Sequence, residues 1–261
     1  MKDILIKKTI ILLFCFLPLK PAQALMVKHF FDTFVGPFNI AKVNFEYRLE
    51  KNTYAITSYI ETDGTVGVLY RFIGKYATNG EFLNKRLITH DYFYQSQTRF
   101  SKRNKKIIYN EKGEPLQAIY NKDGRKKIKQ LSQEKAAFYD LQSVFAFMVR
   151  QFFYTHSCNF KTTLFDGRKF FDVEFGNEGE EIVEKNKYSP FSGKAKKCSM
   201  YISKKKEDGD DTLWQTMSSA PIHFWIMNNT ENNLPFIAKI LVENTPFGDI
   251  NAYTTRVEVK K

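Results

Sequence analysis

The feature that most constrains the fold is a two-residue alternation of apolar and polar side chains near the start of the chain. Residues 43–50 read VNFEYRLE, so every second side chain is apolar. Successive side chains of a β-strand point to opposite faces, so the pattern predicts a strand with one buried and one wet face. A polar turn at 51–53 leads into a second apolar run at 54–60, which indicates a β-hairpin.

Strand-like runs continue through most of the remaining chain. They are separated by turn-forming pairs such as Asn79-Gly80 and Asp166-Gly167. Many short strands in series favour an antiparallel sheet, a barrel or an open spiral. The predicted strands are 68–76, 86–100, 106–110, 117–121, 169–175, 197–202, 222–227, 236–244 and 250–259.

One segment breaks this rhythm and predicts a helix. Asp140 can cap a helix over 141–153, whose apolar residues cover nearly its whole circumference. Such a helix is normally buried. The fold class predicted is therefore mainly β: a curved antiparallel sheet, an open barrel or β-spiral, wrapped around one buried helix at about 140–153. No Gly/Pro/Ser-rich linker divides 25–261, which we interpret as a single domain.

The first 24 residues have the pattern of an export signal. Lysines precede an apolar run at 9–19, and Ala22-Gln23-Ala24 supplies the small residues that a signal peptidase reads. The run is shorter than the roughly 20 residues that a membrane-spanning helix needs. We expect cleavage between Ala24 and Leu25, a periplasmic mature chain and no permanent membrane span. An uncleaved anchor is the alternative.

Two cysteines remain after this cleavage, Cys158 and Cys198. An even pair in an exported chain predicts a disulfide bond, with two unpaired buried thiols as the alternative. No other cysteine would accompany them, because Cys15 lies within the signal.

Two basic runs could bind a polyanion. The chain carries a net charge of +12, and exported proteins seldom meet nucleic acid, so anionic lipid head groups or lipopolysaccharide phosphates are the predicted partners. The alternative is a pair of solvated hairpin tips. The candidate polyanion-binding residues are Lys102, Arg103, Lys105, Lys106, Arg125, Lys126 and Lys127.

Motifs that would carry catalysis are absent from the sequence. It contains no G-x-S-x-G, H-E-x-x-H, phosphate loop or C-x-x-C, and it predicts no cofactor and no metal. The acidic run at 207–211 lacks the EF-hand spacing and is interpreted as a solvated tip. The catalytic alternative is an envelope hydrolase that pairs His90 or His223 with Asp91 or Asp172.

Several phrases in a fixed order resemble one bacterial family, that of domain of unknown function 3108. They are TVGVLYR at 65–71, DLQSV at 140–144, FDGRKFFD at 165–172, SG at 192–193, LPF at 234–236 and TPFG at 245–248. The resemblance implies an exported protein of Gram-negative bacteria with no established activity. It also implies a fold similar to the curved sheets around a helix in lipoprotein carriers. Leu141 departs from the family, where Pro commonly follows the Asp.

These features favour a non-catalytic envelope protein that acts as a binding or scaffold module. A half-open barrel rich in aromatic residues can hold a lipid acyl chain or an apolar segment of an envelope protein. Its strand edges can pair with a partner strand. A well-filled aromatic core would use the same residues, and the sequence leaves the oligomeric state open.

Overall fold

The described residues fold into one fourteen-stranded antiparallel sheet with two helices. The computed structural model describes residues 25–50, 52–83, 86–131, 139–204, 220–229 and 234–260. The strands of the first half are β1 Leu25–Val35, β2 Phe38–Leu49, β3 Thr53–Thr62, β4 Phe72–Leu83, β5 Arg86–Thr98, β6 Lys102–Tyr109, β7 Pro115–Lys122 and β8 Arg125–Gln130. Those of the second half are β9 Phe160–Phe165, β10 Phe170–Val183, β11 Gly193–Lys204, β12 Ile222–Asn228, β13 Pro235–Thr245 and β14 Gly248–Lys260. The helices are α1 Gly64–Leu69 and α2 Leu141–Thr155.

The sheet consists of two meanders joined at one place. Strands β1 to β8 pair with their neighbours in sequence, and so do β9 to β14. The meanders meet where β1 pairs with β14, from Met26–Lys260 to Val35–Ile250. Strands β8 and β9 end the sheet, so the hydrogen-bonded ladders of the described residues do not close it. The predicted open antiparallel architecture is confirmed.

Side chains bring the two ends of the sheet together. The turn between β9 and β10 folds onto the inner face of β6 and β7, where the Tyr120 hydroxyl donates to the Gly167 carbonyl oxygen. The Lys105 ammonium donates to the carbonyl oxygen of Asp166. Beneath this contact, Phe165 packs in one apolar cluster with Ile107. The hydrogen-bonded ladders therefore leave the barrel open, and the gap between the two ends of the sheet, the seam, is closed by side-chain contacts.

Helix α2 lies inside the barrel, as predicted. Val144, Met148 and Phe152 pack on the second meander, and Ala146 packs in the cluster lined by the first. The middle of the helix is buried or partly buried, and its exposed apolar residues lie at the ends: Leu141 in the first turn, and Phe153 and Tyr154 in the last. The helix ends at His156, whose left-handed conformation (φ 51°) stops it.

The predicted strand 68–76 is wrong in its first part. Residues Gly64–Leu69 form helix α1, and β4 begins only at Phe72. The reason lies in two glycines. A Cβ atom at Gly64 would lie 2.8 Å from the carbonyl oxygen of Asn39, and one at Gly67 would lie 2.8 Å from that of Thr62. These glycines let a short helix pack closely on the ends of β2 and β3, a contact that strand periodicity does not reveal.

Cys158 and Cys198 form the predicted disulfide bond. Cys158 follows α2, and Cys198 lies on β11, so the bond ties the end of the helix segment to the sheet. Both residues are almost fully buried in the larger apolar cluster.

Candidate ligand-binding site

An apolar cavity of about 290 Å³ lies between α2 and the inner face of the sheet. Strands β1 to β5 form one wall, β12 to β14 form another, and α2 supplies the third. The two-residue alternation of the strands places every second side chain in this wall. The apolar lining includes Phe31, Val43, Phe45, Ile60, Phe145 and Ala252.

His29 is the polar residue that distinguishes this wall. It stands on the apolar face of β1 between Val27 and Phe31 and is 3% exposed. Neither of its ring nitrogens has a hydrogen-bond partner among the described residues. Burial lowers the pKa of His29 from 6.5 to about 4, so the ring is neutral at neutral pH. One nitrogen of the neutral ring donates a hydrogen bond and the other accepts one.

The other polar groups of the wall are uncharged or hydrogen-bonded. Burial raises the pKa values of Tyr47, Tyr76 and Tyr92, so their phenols stay protonated. The Gln142 amide donates to the Ser58 hydroxyl at 2.8 Å. The cavity therefore offers an apolar, neutral surface with one unused imidazole.

A buried polar cluster holds the N-terminus of α2 beside the cavity. The Asp140 carboxylate accepts hydrogen bonds from the backbone N–H groups of Gln142 and Ser143, at 2.9 and 3.3 Å, and from the Thr78 hydroxyl at 2.9 Å. The hydroxyls of Tyr54 and Ser143 lie 2.9 Å apart, which links the cluster to β3. Burial raises the pKa of Asp140 despite these donors. The cluster fixes the position and direction of the helix that forms one wall.

Replacing Asp140 by alanine is expected to lower the free energy of unfolding by about 2 kcal/mol, because the variant loses the N-cap and leaves buried donors unsatisfied. Asp140→Asn keeps an oxygen acceptor for the helix, so its free energy of unfolding should fall by less. Urea denaturation of both variants measures the difference. Equal stability of Asp140→Ala and wild type would show that the cap does not hold α2.

The predicted polyanion-binding residues lie on strands β6 and β8, where Lys102, Arg103 and Arg125 stand next to the turns that precede these strands. Cross-strand register divides them between the two faces of the sheet. Arg103 lies opposite Lys122, which lies opposite Arg125, and these three share the inner face with Lys105 and Lys127. The residues of the outer face are Lys102, Lys106 and Lys126.

Lys105 differs from the rest of this basic set. Its ammonium group lies 5.7 Å from the centre of the Tyr92 ring and donates to the backbone at the barrel seam. Burial lowers its pKa. Lys105 therefore has a structural contact in the seam, whereas Arg103, Lys122 and Arg125 are exposed.

The histidines considered for catalysis contact different carboxylates from those predicted. His223 Nδ1 lies 2.6 Å from Glu178 Oε2, and His223 Nε2 lies 3.7 Å from Glu243 Oε2. His90 lies 3.7 Å from Glu81. The Thr163 hydroxyl donates to Asp172 at 3.2 Å. His223 lies on β12 and His90 on β5, so the structure does not gather these groups into one site.

Some predictions fall outside the described residues. The export signal up to Ala24 and the acidic run at 207–211 do so, while Leu25 begins β1. Within the described ranges, no cluster of three or more His, Cys, Asp or Glu residues is arranged to hold a metal ion. The helices described there are all too short or too polar to cross a membrane.

Sequence reasoning missed His29 as a site residue. It was one of four histidines isolated in sequence, and no motif surrounds it. The available signal was its register: residues 27, 29, 31 and 33 share one face of a strand, and residues 27 and 31 are apolar. A histidine within an apolar row on one face of a strand indicates a buried imidazole.

The fold and cavity define a class of protein: open β-barrels with a helix in the lumen. The chain belongs to the family described as "Protein of unknown function (DUF3108)", whose model matches residues 12–255. It is similar in fold to a solved structure described as a beta-barrel-like protein of domain of unknown function DUF1849 from Brucella abortus. That likeness has a TM-score of 0.50 at 7% identity and covers 93% of this chain and 100% of the other. No curated protein matches the chain.

Proposed function

We propose that this protein is a non-catalytic, periplasmic protein of the cell envelope that binds one uncharged apolar ligand portion, such as a lipid acyl chain, in the cavity beside α2. The observation that carries the proposal is the apolar cavity with the unpartnered ring of His29 in its wall. Ligand sites are typically apolar and concave with a few convergent polar groups, and this cavity has that composition.

The dimensions of the cavity support a small occupant. Its volume of about 290 Å³ lies just below the roughly 300–1,000 Å³ typical of ligand pockets. That space suits one chain rather than a lipid with several chains. The neutral wall disfavours a charged group, because an unpaired charge is costly to desolvate.

His29 supports a ligand that carries an oxygen atom along its apolar part. A buried nitrogen without a partner costs free energy. Both His29 nitrogens are covered by neighbouring side chains, and a ligand hydroxyl, ester or ketone oxygen that displaced this cover would remove the cost. A hydroxyl can both donate and accept, and therefore matches either tautomer of the ring. We infer that hydroxylated or ester-containing chains bind better than plain hydrocarbons.

The proposal of a periplasmic location rests on one sequence feature and one bond. The N-terminal pattern of residues 1–24 is typical of a cleaved signal, and disulfide bonds persist mainly in oxidising compartments. A bacterial periplasm meets both conditions.

Native mass spectrometry of protein purified gently from a periplasmic extract tests the proposal. We expect a stoichiometric adduct that denaturing conditions release as a lipid or acyl species. Ala252→Phe places a ring in the cavity and should lower ligand occupancy about tenfold or more, because two groups cannot fill the same space. Ala252→Ser, which leaves the volume nearly unchanged, should keep the adduct.

Both variants need a melting curve close to that of wild type for this comparison. Wild-type protein that carries no adduct and takes up no added fatty acid, hydroxy fatty acid or monoacyl lipid would contradict the proposal. An adduct retained equally in Ala252→Phe would place the ligand elsewhere.

A further inference from the structure

We propose that one end of the barrel docks onto an anionic membrane surface, through apolar residues at its loop tips and a row of cations beside them. Cross-strand register brings six turns of the described chain to this end. They are the turns at 36–37, 63–71, 99–101, 123–124, 166–169 and 246–247. We call this end the rim.

Four neighbouring turns of the rim expose large apolar side chains to water. Phe100 is 89% exposed, Phe247 81% and Leu69 74%. Phe38, Val68 and Tyr70 are also exposed there. Each of these turns joins a pair of adjacent strands, so the tips follow one another along the sheet edge at about 10 Å intervals. Such a concentration of exposed apolar surface on a folded protein marks an interaction site.

Helix α1 is built to display its apolar side outward. Its glycines face the backbone of β2 and β3, where any larger residue would clash. None of its residues is buried, and Val68 and Leu69 point into solvent. An ordinary surface helix buries its apolar face and exposes its small or polar residues. The reversal in α1 indicates that something else covers Val68 and Leu69.

Hydrogen bonds hold the tips in place. The Arg99 guanidinium donates to the Val68 carbonyl oxygen and joins α1 to the next turn. The backbone N–H of Phe100 donates to the Thr98 hydroxyl at 3.2 Å. In the last turn, the N–H of Phe247 donates to the Thr245 hydroxyl at 3.2 Å. The apolar tips are therefore ordered before they meet a partner.

Cations stand beside these tips. Arg103, Lys122 and Arg125 lie directly opposite one another on three adjacent strands and are exposed. They form no ion pair with another described residue. Like charges in directly opposed positions destabilise a sheet, so this row has a cost in the free protein. Between residues 99 and 131 the chain has eleven Lys and Arg against three Asp and Glu, which concentrates much of its positive charge here.

The rim's acidic side chains are already engaged within the protein. Asp63 forms an ion pair with Lys42 at 2.8 Å. Asp123 accepts the backbone N–H of Lys102 at 2.7 Å. Asp249 accepts that of Asn244 at 3.0 Å. These carboxylates shape the turns, while the cations beside them remain available to anions.

An anionic bilayer matches this combination better than a protein groove does. The apolar side chains protrude separately from convex tips, as interfacial anchors do, and aromatic residues favour the boundary between head groups and acyl chains. Lys and Arg near an anionic surface add attraction that falls with salt. The cavity wall reaches Ile60, two residues from the rim end of β3, so docking would bring the cavity close to the bilayer.

Vesicle flotation of the full mature chain tests the proposal. We expect binding to vesicles of phosphatidylcholine mixed with phosphatidylglycerol, weaker binding at high salt, and little binding to phosphatidylcholine alone. Phe100→Ser/Phe247→Ser and Arg103→Glu/Arg125→Glu should each weaken partitioning at least about tenfold. Wild type that fails to float with the anionic vesicles would overturn the proposal.

Matched controls use the opposite end of the barrel. Leu83→Ser/Ile182→Ser removes two exposed apolar residues there, and Lys112→Glu/Lys260→Glu reverses two exposed charges there. Both controls should bind vesicles nearly as wild type does. Equal losses in rim and control variants would overturn the proposal, and so would rim variants that change only the oligomeric state, since a second copy would then be the partner.

This inference goes beyond the proposed ligand function and can fail separately from it. Ala252→Phe, which fills the cavity, should still float with anionic vesicles. Vesicle binding that is lost in this folded variant would place the lipid in the cavity instead of under the rim, and would overturn docking through the tips.

Discussion

Replacing both Cys158 and Cys198 by serine is expected to lower the free energy of unfolding by about 4 kcal/mol, the value that the chain-entropy model gives for a loop of this length. The bond links residues 40 apart in sequence and lies in the larger apolar cluster. Without it, the unfolded chain gains freedom and the segment after α2 loses its attachment to β11. The melting temperature should fall by about 10 °C, and proteolysis should be faster.

Two comparisons separate the bond from the side effects of serine. Serine at these buried positions adds the cost of burying two hydroxyl groups, which is separate from the loss of the bond. The double alanine variant avoids that cost. Wild type in the presence of a reductant that fully reduces the bond should melt at about the temperature of the alanine variant. If the alanine variant and oxidised wild type have the same melting temperature, the bond adds no stability.

The second large effect is a loss of stability on acidification caused by His29. Its pKa is about 4 in the folded protein and near 6.5 when unfolded. Between these values the unfolded chain binds the proton and the folded chain does not, so stability falls as the pH drops from 6.5 towards 4. One pKa unit corresponds to about 1.4 kcal/mol, so the full effect is about 3 kcal/mol.

The measurement compares wild type with His29→Phe in urea at pH 7 and pH 4.5. Phenylalanine suits the surrounding rings of Phe31 and Phe45 and cannot titrate. Asp140, with its raised pKa, contributes the opposite slope, because a carboxyl whose folded pKa is raised stabilises the protein on acidification. Asp140 is present in both proteins, and therefore cancels in the difference. Parallel pH profiles for the two proteins would mean that folding does not lower the pKa of His29.

Local sequence patterns predicted the buried helix and most of the strands, because these depend on side-chain periodicity and capping. No strand was predicted at β1, β8 or β9. The alternation at 43–50 falls within β2, and Asp140 caps α2 as expected. The disulfide followed from an even cysteine pair. Helix α1 was missed because it depends on the close approach of two glycines to strand backbone, Gly64 to Asn39 and Gly67 to Thr62. Strand periodicity does not report such tertiary contacts.

The sequence predicted the type of site, an apolar cavity, but not the residues that line it. An aromatic-rich open barrel implied a cavity, but its wall combines residues from eight strands and α2, and the pairing of those strands is a property of the whole sheet. The basic runs were found, yet their division between two faces follows from cross-strand register. The hydrolase pairing of His90 or His223 with Asp91 or Asp172 relied on residue type alone. The structure places Glu178, Glu243 and Glu81 beside these rings instead.

The pairing of β1 with β14 has a consequence for folding. Every other ladder joins neighbouring strands, so hairpins can form early and each meander can grow from local contacts. The β1–β14 ladder joins strands at opposite ends of the described chain, so forming it has the greatest entropic cost of loop closure. Until β14 is in place, β1 and β13 both present unpaired edges that can join other chains. Strand β14 therefore covers both edges and joins the two meanders. A chain truncated before Gly248 should aggregate, although it lacks only this one strand.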